Sequence, residues 1–186
     1  MIFYKTLIEG VYLINPEKHN DNRGFFTRTF DKNQFLENNI DFDIKQTSLS
    51  YNKNKGSVRG MHWQKSPYPE RKIVQCVKGS INDVLIDLRV DSKTYNKWFL
   101  FKLNDENNLS LYIPTEIAHG FQTLNNDTTI LYYMDQEYHP ECSCIISHSD
   151  TKYNIKWELP ITSISLQDLF CKSSNNDEEL CKQKFA

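Results

Sequence analysis

The chain has 186 residues, with 22 Lys and Arg against 24 Asp and Glu, for a net charge of −2. That length suits one domain with a full core, and the balanced charge supplies no basic field for nucleic acid. No run of about 18 apolar residues marks a membrane helix, and MIFYKTLIEG has no apolar signal-peptide region, so a soluble cytoplasmic protein is expected.

Apolar runs punctuated by turn residues recur along the chain. Strands are predicted at Val11–Ile14, Phe25–Phe30, Ile44–Tyr51, Ser57–Gln64, Lys72–Val77 and Ile81–Arg89. Further strands are predicted at Lys97–Leu103, Leu109–Ile113, Gly120–Leu124, Thr128–Met134 and Cys144–His148. One short helix fits Lys32–Asn38, with Asp31 as its N-cap. Turn signals stand at Lys78-Gly79, Asn104-Asp105 and Asn125-Asn126-Asp127. Short strands at a spacing of roughly 8–12 residues point to an all-β sandwich or barrel. A single domain over residues 1–170 is expected, followed by a polar tail over 171–186 that frays or forms a loose surface helix.

In Ile81–Arg89, Val84, Ile86 and Leu88 share one face, and Asp83, Leu85, Asp87 and Arg89 the other. A wet outer face and a polar barrel lumen explain the aspartates equally well. The cysteines number five and form no CxxC, which suits free thiols in a reducing compartment. His19, His139 and His148 sit in polar, turn-like settings and read as surface residues. His62 differs, because it lies in a strand beside Trp63, and His119 follows IPTEIA at an expected strand-turn-strand junction.

Gly56-x5-His62-x-Gln64 with Pro114-x4-His119 further on resembles the two halves of a cupin motif. Metal-binding cupins carry HxH where this chain has His62 and Gln64, and Glu70 lies beyond the expected ligand spacing. Two imidazoles and an amide make a poor set for a divalent metal, so no metal is expected. The same pocket offers acid–base chemistry. His62 can exchange protons near neutral pH, Lys72 can face a developing oxyanion, Tyr132 can act as an acid, and Arg59 and Arg23 can grip phosphates.

In order, DNRGFFTRTF, GSVRGMHWQ, RKIVQCVKGSINDVLIDLRVDSKTY, LYIPTEIAHGFQTL, ILYYMDQEYHPE and ISLQD resemble the pattern of the dTDP-4-dehydrorhamnose 3,5-epimerase family over about Val11 to Asp168. The resemblance implies a cupin-type jelly roll, a homodimer, no cofactor, and a nucleotide-diphosphate 4-keto-6-deoxyhexose as substrate. It implies His62 as the base, Asp168 as its orienting carboxylate, Lys72 at the C4 oxygen and Tyr132 as the acid on the opposite face. It also implies substrate contacts from Arg23, Arg59, His119, Gln46 and Tyr138, with the family's dimer carrying Arg23 to the partner's site. Asp83 is a competing carboxylate that can pair with Lys72 or His119. The chain departs from the family pattern at four ligand-contacting positions: Arg28, Gln46-Thr47-Ser48, Ser143 and Gln167. These departures leave open a CDP- or GDP-linked sugar and epimerisation at C3 or C5 alone. A metal cupin using His62, Gln64 and His119, and a non-catalytic sugar-nucleotide binding module, are the readings from other classes.

Overall fold

A computed structural model describes residues 1–170. Two facing antiparallel sheets form a jelly-roll sandwich. The six-stranded sheet runs β1 (Ile2–Lys5), β2 (Tyr12–Asn15), β10 (Ser110–Ile113), β7 (Lys72–Lys78), β12 (Thr128–Met134), β5 (Gln46–Asn52). The five-stranded sheet runs β13 (Ser143–Ile145), β6 (Val58–Gln64), β11 (Ile117–Thr123), β8 (Ser80–Asp87), β9 (Trp98–Asn104). A separate hairpin joins β3 (Lys18–Asp21) to β4 (Gly24–Thr27). The only helices among the described residues are α1 (Lys32–Glu37) and α2 (Leu166–Phe170).

Between the sheets lies an apolar cluster that includes Val74, Cys76, Leu85, Leu111, Phe121 and Ile130. A second cluster covers the outer face of the five-stranded sheet, where Met61, Val84, Ile86 and Ala118 meet Ile146, Tyr153 and Ile155. The face of β8 carrying Val84 and Ile86 is therefore buried beneath the chain's later segments. The opposite face points Asp83 into the sandwich, fully buried, which selects the lumen reading for that residue. Asp87 serves another purpose: it accepts hydrogen bonds from Arg89, Ser92 and Thr94 and ties down the loop after β8.

Asp31 caps α1 as expected, its carboxylate accepting from the backbone N–H groups of Asn33 and Gln34. Phe35 on that helix packs with Phe42, Ile14, Ile73 and Tyr112 against the outer side of the six-stranded sheet. Gly120 is not the start of a strand, because β11 begins at Ile117 and carries His119 within it. The turn comes earlier, with Glu116 at φ +60°. Cys76 and Cys142 are free and buried. Cys144, expected as a free thiol, is disulfide-bonded. The proposed tail, residues 171–186, lies outside the described residues.

β6 and β11 approach so closely that a side chain has no room between them. A Cβ at Gly60 would lie 2.5 Å from the Gly120 Cα and 2.8 Å from the His119 carbonyl oxygen. Gly60 also holds φ +120°, a conformation that costs other residues on the order of 1–3 kcal/mol. Gly60→Ala is therefore expected to destabilise the fold by about 3 kcal/mol, read as a lower urea midpoint. An unchanged midpoint would show that the strands separate at little cost.

Candidate active site

The site is built from both sheets. β6 supplies Arg59 and His62, and β11 supplies His119, which is the cross-strand partner of His62. On the facing sheet, β7 supplies Lys72 and β12 supplies Tyr132. Register sets Tyr132 opposite Val74 on one side and opposite Ser48 on the other. Cross-strand partners point to the same side of a sheet. Lys72 and Val74, Tyr132 and Ser48 therefore share the inward face. A cavity of about 600 Å³ opens between these walls, lined by Arg59, His62, Lys72, His119, Tyr132 and Asp168 among others. A smaller adjoining cavity of about 260 Å³ shares His62 and Lys72 and adds Glu70, Tyr138, Ser143 and Gln167.

Asp168 is 106 residues from His62 in sequence, yet its Oδ1 lies 2.7 Å from His62 Nε2. The chain returns by pairing Ser163 alongside Ser57, with Val58 N–H donating to the Ser163 carbonyl. The short α2 then presents Asp168, whose backbone N–H donates to Ser165 Oγ. Asp168 Oδ2 accepts from the Gly60 backbone N–H at 3.3 Å. An ionised Asp168 holds the imidazole proton on Nε2. That leaves the lone pair on Nδ1, which has no protein partner among the described residues.

Burial works to raise the Asp168 pKa, but the hydrogen bond and charge of His62, with help from Gly60 and Ser165, outweigh it. The carboxyl is held below its ordinary 3.8. A carboxyl with a lower pKa folded than unfolded stabilises the fold above its unfolded pKa, and that stability drains away as pH falls through the folded value. Asp168→Asn should flatten the acid limb of stability, measured as urea midpoints from pH 5 to 3. A limb as steep as the parent's would show that other carboxylates govern it.

His119 Nε2 lies 2.9 Å from Asp83 Oδ2, so Asp83 pairs with His119. Its Oδ1 makes no hydrogen bond. Burial pushes the Asp83 carboxyl up, against the opposing charges of His119 and Lys72. Lys72 turns instead to Glu70, with Nζ 2.6 Å from Oε1. Tyr132 packs edge-on to His119, with ring centroids 6.2 Å apart. Burial raises its phenol pKa, the charge of Asp83 raises it further, and Arg59 opposes both; the phenol stays protonated.

Arg59 is held by Asn52, whose Oδ1 accepts from Nε at 2.8 Å. Gln46 accepts from the Tyr138 backbone N–H at 3.2 Å, fixing the rim where Tyr138 stands exposed. Gln64 does not join His62 and His119. Its amide bonds the Tyr68 and Glu137 carbonyls and the His139 N–H, so the three-ligand metal set is not assembled. Arg23 and Arg28 are not brought into the cavity of this chain. Arg23 pairs with Asp21 on the outlying hairpin with its side chain 85% exposed, and Arg28 pairs with Asp31 at the start of α1. Each spends its charge on a neighbouring carboxylate, because the segment from β3 to α1 runs along the outside of the sandwich. Of the three histidines expected on the surface, His19 is exposed, His139 stacks on Tyr68, and His148 is partly buried. Sequence reasoning passed over Asn52, and weighed Glu70 only as a metal ligand at the wrong spacing. The polar alternation Gln46, Ser48, Ser50, Asn52 marks an inward face and carries the signal for Asn52; Glu70 has none beyond standing two residues before Lys72.

The family model described as dTDP-4-dehydrorhamnose 3,5-epimerase matches residues 5–179. A dTDP-4-dehydrorhamnose 3,5-epimerase of Sinorhizobium fredii is 38% identical over 84% of this chain and 80% of its own length. The crystal structure of the Bacillus anthracis dTDP-4-dehydrorhamnose 3,5-epimerase with TDP and PPi bound superposes with a TM-score of 0.90 at 30% identity, covering 93% of this chain and 99% of that one. A 3'-monoepimerase from Streptomyces bikiniensis in complex with dTDP-quinovose gives a TM-score of 0.83 at 27% identity over 88% of this chain and 83% of that one.

Proposed function

Because the chain belongs to the dTDP-4-dehydrorhamnose 3,5-epimerase family, we propose that it inverts C3, C5 or both in a dTDP-linked 4-keto-6-deoxyhexose without a cofactor. The observation that carries this reading is the placement of a carboxylate-oriented histidine and a protonated tyrosine on opposite walls of one cavity. Inversion needs a base on one face of the carbon and an acid on the other.

The ketone acidifies the neighbouring C–H bonds. His62 takes the proton through Nδ1, and the imidazolium is stabilised by Asp168. The C–H electron pair moves into an enolate whose negative oxygen faces the Lys72 ammonium. Tyr132 gives its proton to the carbon from the other face, and the tyrosinate regains one from solvent while His62 releases its own. The nucleotide diphosphate meets Arg59 on this chain.

Arg23 reaches a site only from a second subunit, so we read the active form as a homodimer. Phe25 and Phe26 on the outlying hairpin and Leu49 and Tyr51 on the outward face of β5 are all exposed. β5 is also an unpaired edge of its sheet. No helix of the described residues is long and apolar enough to cross a membrane.

The test is proton NMR in D₂O with dTDP-, CDP- and GDP-linked 4-keto-6-deoxyhexoses. Loss of the H3 or H5 signal with the dTDP sugar supports the reading and names the carbon. Exchange only with another nucleotide moves the specificity, and no exchange with any sinks the enzyme in favour of a binding module.

A further inference from the structure

Lys72 has a flexible four-carbon stem and a point charge that no geometry fixes by itself. A group meant to meet charge as it develops must already be in place, because reorganisation during the reaction costs rate. Three carboxylates belong to this site. Asp168 is committed to His62, and Asp83 to His119. Glu70 takes Lys72, Oε1 to Nζ at 2.6 Å, with both side chains largely buried, at 12% and 11% exposure.

The backbone of Glu70 is itself pinned on both sides. Next along the chain, Arg71 donates its backbone N–H to Asp135 Oδ1 at 2.7 Å and pairs its guanidinium with the same carboxylate. Two residues before, the Tyr68 carbonyl accepts from Gln64 Nε2 at 2.9 Å. The Tyr68 ring stacks on His139 with centroids 3.7 Å apart, and the His139 N–H bonds Gln64 Oε1. The buried Gln64, which has no place among metal ligands, thus clamps the loop that carries Glu70. Glu70 lines the smaller cavity beside His62 and Lys72.

We infer that Glu70 is a positioning residue, held by the Gln64–Tyr68–His139 clamp and the Arg71–Asp135 pair, that aims the Lys72 ammonium at the enolate oxygen. This rests on the epimerase reading above. Glu70 consumes one ammonium donor and leaves two for the substrate.

Glu70→Ala should lower kcat roughly tenfold with KM within about twofold, because orientation is lost in the transition state and not in ground-state binding. Glu70→Gln keeps an oxygen that accepts from Nζ and should recover most of the lost kcat. In the Lys72→Ala background, Glu70→Ala should cost nothing further. Thermal unfolding is measured on every variant. Unchanged kcat in Glu70→Ala, a rise in KM alone, full additivity with Lys72→Ala, or equal loss in the Ala and Gln variants alongside a lowered Tm would each overturn the assignment. A parent protein that exchanges no substrate proton would overturn the epimerase reading and this one with it; an active parent indifferent to Glu70→Ala overturns this one alone.

Discussion

His62→Ala should abolish deuterium wash-in at every carbon the enzyme touches, with turnover falling by about three orders of magnitude or more. General-base catalysis typically supplies about 10²–10⁴-fold, and here no other group is placed to substitute. His119 is the nearest imidazole, but its Nε2 is tied to Asp83 and it is almost fully buried. Glu70 is tied to Lys72, and Asp168 is held as a carboxylate with a lowered pKa, a weaker base than imidazole. The substitution also leaves Asp168 as a buried carboxylate without its main partner, so its pKa rises and some stability is lost. The kinetic effect is separable from that, since wash-in is measured on folded protein below its Tm. Substrate affinity should change little, because Arg59 and the rim residues remain. Residual exchange within tenfold of the parent would remove His62 from the role of base.

The sandwich was legible in the sequence because its strands alternate and its turns carry Gly, Asn and Asp at regular intervals. What stayed hidden shows where local signals fail. Lys18–Asp21 is KHND, with no residue that favours a strand, and it is extended only because β4 pairs with it. Ile2–Lys5 is too short to show a period and is held by β2. The five-residue α2 is likewise too brief for helical periodicity, yet it delivers Asp168. In the site, His62 stood out as a polar group inside a strand that otherwise reads as core, and Lys72 as a cation at the start of the next strand. For the partner of His62, spacing leaves Asp83 and Asp168 equal; the family resemblance alone names Asp168, and the pairing of Ser163 with Ser57 is what brings it to the imidazole. Arg23 and Arg28 carry motif signals for ligand contact, yet the chain folds both away from its own cavity and pairs them with Asp21 and Asp31.

Tyr132→Phe should separate the two halves of the reaction. Proton removal needs the base and the oxyanion support, both on groups that the substitution leaves in place. Proton return from the opposite face needs the phenol. Epimerised product should therefore fall by roughly 10²-fold, while wash-in of deuterium without inversion continues, as His62 hands a solvent-derived deuteron back to the face it came from. The fold should hold, because Phe fills the same volume against His119 and the inner apolar cluster that Tyr132 packs on. Burial keeps the parent phenol protonated, so the parent's product formation should show no loss attributable to Tyr132 ionisation up to the ordinary tyrosine range near ~10. The decisive quantity is the ratio of exchange to inversion for one carbon in a single NMR time course. A ratio that rises by an order of magnitude or more assigns the acid to Tyr132. Equal losses of exchange and inversion would mean that the phenol helps to form the enolate, and the proton on the far face would then come from another group.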